Sequence, residues 1–128
     1  MASRKKNVQK GHKEVNQILK YLQDEVARIT VQASKMEAEE ARIGRELDRC
    51  REEILKMKNY IERATESGNN GDVDVYVAKK RNLEEKEKAL KSTCDRILNR
   101  NTKIKQIQNQ FLLQRDELRN RKDSIDMK

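Results

Sequence analysis

With 128 residues, 41% of them charged, 34% apolar, one Phe, no Trp and no Pro, the chain has the length of one domain but too little apolar bulk to fill a rounded core. A narrow two-helix seam needs far less, whereas the walls of an enzyme cleft of ordinary size are missing, which argues against catalysis. The formal charge of +8 gathers at the two ends: residues 1–20 carry Arg4, Lys5, Lys6, Lys10, Lys13 and Lys20 against Glu14, and residues 96–128 carry nine Lys or Arg against four acids.

Residues 1–14 are polar and basic, and are expected to form a flexible arm, with Gly11 marking a frayed start. No apolar segment follows the charged N-terminus, so a signal peptide is not expected. No apolar run approaches the ~20 residues of a membrane span. Cys50 and Cys94 are too few for a disulfide framework and lack metal-ligand spacing, and each is read as a small buried hydrophobe. These features predict a reducing, cytoplasmic setting, at most peripheral to a membrane.

Helix 1 is expected over 15–67. Its seam reads Val15, Leu19, Leu22, Val26, Ile29, Ala33, Met36, Glu40, Ile43, Leu47, Cys50, Ile54, Met57, Ile61, Ala64. The steps alternate strictly between four and three, the signature of a coiled coil. Only Glu40 departs from apolar or small character. Turn-forming residues then concentrate at 68–72. Gly68 suits the left-handed residue that ends a helix, and Asp72 suits the cap of the next.

Helix 2 is expected over 73–126. One column repeats every seven residues: Tyr76, Leu83, Leu90, Ile97, Ile104, Phe111, Leu118, Ile125. The column three residues on is mostly polar: Lys86, Thr93, Arg100, Ile107, Gln114, Arg121. Folding the chain so that paired numbers sum to 140, centred on the Asn69-Asn70 turn, sets Ile43 against Ile97 and Ile29 against Phe111. It also sets Ala33 against Ile107, and Glu40 against Arg100 as a register pair. The predicted fold class is therefore all-α, a long antiparallel two-helix coiled-coil hairpin. Ile18, Tyr21, Leu98, Leu112 and Leu113 fall outside the seam and provide a face for self-association or a partner, as in a dimer closing into a four-helix bundle.

No catalytic, cofactor or metal constellation is expected. His12 has no second histidine or cysteine in reach, and the glycine-bearing turn lacks the Lys-Ser or Lys-Thr and the strand of a phosphate loop. No small-molecule substrate is implied. The feature with functional promise is the basic base of the hairpin: Arg4, Lys5, Lys6 and Lys10 beside Arg115, Arg119, Arg121 and Lys122. Such a cluster suits an anionic surface. Nucleic acid is disfavoured because no aromatic side chains interleave with the bases to offer a stacking platform.

The stretch from Met36 to Leu90 resembles the hairpin of the phage-shock-protein A family. The resemblance rests on Glu39-Glu40-Ala41-Arg42, Leu47, Glu52-Glu53, Ala64 leading to Gly71-Asp72, and Ala78-Lys79-Lys80-Arg81-Asn82-Leu83-Glu84-Glu85-Lys86. That family is similar to the ESCRT-III superfamily, which remodels membranes as polymers. The resemblance implies a membrane-associated, oligomerising scaffold with no catalytic residues to carry over. The basic coiled-coil stalk of flagellar and type III export machines has a similar appearance, which implies a protein partner instead. A tethering segment of a cytoskeletal complex is a third option.

Overall fold

The computed structural model describes the backbone of residues 2–126 and the side chains of residues 9–124. Two helices, α1 over Ala2–Glu66 and α2 over Asn70–Asp126, make an all-α helical hairpin. Helix α1 thus begins well ahead of residue 15, because the only helix-weakening residue in that stretch is Gly11, at a cost of about 1 kcal/mol, and no Pro intervenes. Helix α2 begins at Asn70 rather than 73. The side chains of Arg4, Lys5, Lys6 and Ile125 lie outside the described residues.

Chain reversal is compact and locally specified. Gly68 adopts φ +72°, the left-handed conformation expected of it. The Gly68 N–H donates to Thr65 O at 3.2 Å and the Asn69 N–H to Ala64 O at 2.9 Å. Together these two bonds form a Schellman closure of α1. Asn69, rather than Asp72, caps α2: its Oδ1 accepts from the Asp72 N–H at 3.3 Å, while its Nδ2 donates to Asp72 Oδ2 at 2.7 Å. Asp72 therefore sits one turn inside the helix, where its charge favours the positive end of the helix dipole.

The hairpin divides into two compact units, each drawing on both helices: Met36–Arg100, and Met1–Lys35 with Asn101–Lys128. In Met36–Arg100 the core comprises Ile43, Leu47, Cys50, Ile54, Ala64 and Ile97. Met36, Glu40, Met57, Ile61, Tyr76, Leu83 and Leu90 are half-buried around them. Each fully buried Leu or Ile contributes about 1.5–3 kcal/mol of transfer free energy. Arg51 pairs with Glu87 at 3.4 Å and Arg100 with Glu39 at 2.9 Å, both across the helices. The numbers in each pair sum to within about two of the expected 140. Glu40, the expected partner of Arg100, is the residue next to Glu39.

In the other unit Leu19, Leu22, Ile29 and Ala33 are buried. Val15, Val26, Ile104, Phe111 and Leu118 are half-buried. Here the second column of α2 lies one residue from where it was expected. Asn101 is buried and Gln108, Arg115 and Lys122 are half-buried, whereas Gln114 and Arg121 face solvent and Ile107 is 44% exposed. Gln108 rather than Ile107 meets α1, its Nε2 donating to Thr30 Oγ1 at 3.0 Å. Both columns are mostly polar, so the apolar pattern chooses between them only weakly. The observed one turns Asn101 and Gln108 inward, and the hydrogen bond to Thr30 offsets part of the desolvation of the Gln108 amide.

Candidate interaction surfaces

Every side chain of the basic base that the structure describes belongs to the unit made by Met1–Lys35 and Asn101–Lys128, and these side chains differ in what they can do. Lys10, Arg119 and Arg121 are exposed. Arg115 and Lys122 occupy the polar seam column and are half-buried. The Arg115 guanidinium donates from Nη2 and Nε to Asp116 Oδ1 at 3.1 and 3.2 Å, so part of its charge is already answered. Heptad positions separate the free cations further. Arg119 follows Leu112 along one edge of α2, and Arg121 follows Gln114 along the other. The cations available to an anionic surface therefore point along two edges rather than forming one flat patch.

The same edges sort the apolar residues outside the seam. Ile18 and Tyr21 are 51% and 59% exposed. They form one wall of a groove of about 300 Å³, with Leu22 and Leu118 as its floor and Glu117 and Arg121 on the facing wall. Leu112 and Leu113 are not among the groove residues; Leu112 is half-buried and Leu113 exposed. In the unit Met36–Arg100, Leu98 is exposed as well. Within the unit made by Met1–Lys35 and Asn101–Lys128, Ile18 and Tyr21 therefore line the groove while Leu112 and Leu113 lie outside it.

Other features escaped the heptad reading. Near the turn the Tyr60 and Tyr76 rings pack with centroids 5.3 Å apart at 40°. Val77 and Ile61 line a shallow groove with Lys80, Arg81 and Glu84. Tyr60 lies outside the four–three seam of α1, which is why period alone did not pair it with Tyr76. Val31 and Leu55 are exposed apolar residues that no periodic pattern singled out. His12 is half-buried beside Lys13, Asn16 and Lys20.

The thiols are distinct. Cys50 is buried, its Sγ 3.2 Å from Leu83 O, and burial pushes its ionisation up from the ordinary value, with Lys86 opposing weakly. Cys94 is half-buried. Among the described residues no group of His, Cys, Asp and Glu is placed to hold a metal ion, and no helix is long and apolar enough to cross a membrane.

Comparison with known proteins adds one relative. The chain is 26% identical over 116 residues to the phage shock protein A homolog of Bacillus subtilis (strain 168), a match covering 91% of this chain and 51% of that protein. It thus spans about half the length of the curated relative it matches. No protein-family model matches the chain, and no solved structure matches significantly. The similarity to phage shock protein A therefore extends over nearly the whole chain, well beyond the Met36–Leu90 stretch whose motifs first carried it.

Proposed function

We propose that this chain is a non-enzymatic coiled-coil scaffold that works at an anionic membrane surface as a peripheral, cytoplasmic-side protein. The observation that carries this reading is the similarity to a phage shock protein A homolog over 91% of the chain. The hairpin itself gives a scaffold's geometry: two long helices with exposed cations at Lys10, Arg119 and Arg121. Each Lys or Arg near an anionic leaflet is worth about 1 kcal/mol, and the attraction fades over about 10 Å at 0.1 M salt. Arg4, Lys5 and Lys6 add three cations at the same end of the sequence as Lys10.

The test is co-sedimentation with vesicles of neutral or anionic lipid at low and high salt. The expected result is pelleting with anionic vesicles alone, lost as salt rises. It should also be lost when Arg4, Lys5, Lys6, Lys10 and Arg119 are together replaced by Glu. Failure to pellet with anionic vesicles, with helix content intact, would overturn the membrane role and favour a stalk or adaptor bound to a stoichiometric protein partner. Equal salt-sensitive retention by DNA or RNA would overturn it as well.

A further inference from the structure

Within the unit Met36–Arg100 the two edges of the seam differ in charge. The ion pair between Arg100 and Glu39 sets the α2 column of Lys79, Lys86 and Arg100 beside the α1 column of Glu39, Glu46 and Glu53. Next to those acids on α1 runs a column of Arg42, Arg49, Lys56 and Arg63, one cation in every heptad. Glu39 and Glu46 are already occupied, by Arg100 and Arg42 at 2.9 Å each. Arg49, Lys56, Arg63, Lys79, Lys86 and Arg96, by contrast, are exposed, and among the described residues their side chains take part in no ion pair or hydrogen bond. The opposite edge, marked by the Arg51–Glu87 pair, sets Asp48, Glu62, Glu84 and Asp95 among its cations and carries no such excess.

We infer that this edge docks an α-helix of another protein that bears a carboxylate in every heptad, laid along α1 against Arg49, Lys56 and Arg63. Cations one heptad apart stand about 10.5 Å apart along a helix, and carboxylates at the same interval on a second helix meet each of them in turn. Lys79, Lys86 and Arg96 on α2 raise the positive potential along the same edge and steer the approach. The neighbouring acids select against a uniformly negative ligand. Glu53 lies between Arg49 and Lys56 in sequence, takes part in no ion pair among the described residues, and repels a phosphate chain laid over its neighbours. A helix can turn a neutral or basic side chain to Glu53 while its acids stay on the cations. Charged columns of this kind fix partner choice and orientation more than affinity. The inference does not rest on the membrane reading, whose cations lie outside this unit.

The test uses the full chain and a fluorescently labelled, Ala-rich synthetic helix of about four heptads with Glu once per heptad. An isomer of the same composition, its Glu residues dispersed around the helix, is the comparison. Anisotropy should show saturable binding of the heptad probe that weakens as salt rises, with the isomer about tenfold or more weaker. Arg49→Glu, Lys56→Glu and Arg63→Glu together should weaken the heptad probe about tenfold or more, and a probe with Lys in place of Glu should bind this variant in turn. Reversing Lys58, Lys88 and Lys91 on the opposite edge should change the affinity by no more than about twofold. Circular dichroism of each variant separates loss of binding from loss of the helices. Absence of saturable binding by the heptad probe would sink the inference, as would a triple variant that binds like the parent. Equal binding of the isomer, of inorganic polyphosphate or of duplex RNA would also overturn it, because the edge would then be a general polyanion surface. The vesicle test reads a different set of residues, so either proposal can fail while the other stands.

Discussion

Arg100 reaches across the hairpin to Glu39, Nη2 to Oε2 at 2.9 Å, while its own Nε is buried without a hydrogen bond. The two side chains are 39% and 41% exposed, so water screens much of their attraction. Replacing Glu39 by Ala should cost about 0.5–1 kcal/mol in urea unfolding. The loss should shrink as salt is raised. A salt-independent loss would mean that Glu39 acts through packing and not through charge.

Ile97 and Leu98 are neighbours in sequence and opposites in burial, at 3% and 52% exposed. Ile97→Ala empties a site in the seam and should destabilise by about 2–5 kcal/mol. Leu98→Ala should fall within about 0.5 kcal/mol of the parent. Thermal melts of the two variants side by side give the comparison, and equal losses would contradict the observed rotation of α2 about its axis.

The thiols make a prediction about pH. Because burial raises the folded-state value of Cys50, the protonated thiol is favoured in the native hairpin. Its contribution to stability is complete below the ordinary value of 9.0 and is lost as pH rises through the higher folded value. Cys50→Ala should flatten that alkaline decline in denaturant midpoint. In the native protein Cys94 should be alkylated faster than Cys50, and unfolding should bring the two rates together.

At the turn, Gly68→Ala forces a β-carbon into φ +72° and should cost about 1–2 kcal/mol. Asn69→Ala removes the acceptor for the Asp72 N–H and should cost about 0.5–2 kcal/mol. Both are read from the midpoint of chemical unfolding. If Gly68→Ala were neutral, the left-handed closure would not be a strong determinant of where α1 ends.

Much of the hairpin was legible before its structure. From Val15 to Ala64 no seam position of α1 is exposed, because apolar residues at strict four–three spacing have a single way to face a partner helix. The α2 column from Tyr76 to Leu118 follows the same logic. Its companion column did not, because a mostly polar column gives periodicity little to detect; Gln108 turns inward to Thr30 while Ile107 stays exposed. The start of α1 was missed because basic residues without periodicity read as a tail, although nothing in them forbids a helix. The candidate surfaces were less legible still. Heptad position already sets Arg119 and Arg121 on different sides of α2, but which of them borders the groove with Ile18 and Tyr21 depends on that same rotation.

The Schellman closure and the Asn69 cap also bear on the order in which the chain assembles. Their hydrogen bonds join residues no more than five apart, so the reversal forms before any distant pairing is required. Contacts across the helices then span 33 residues at Cys50 and Leu83, 61 at Glu39 and Arg100, and 78 at Thr30 and Gln108. Once each pairing is made, the next closes only a short additional loop, so the entropic cost arrives in small instalments. Assembly should run like a zipper from the bend outward. A lesion at Gly68 or Asn69 should therefore slow refolding, while one near Leu22 or Leu118 should chiefly hasten unfolding.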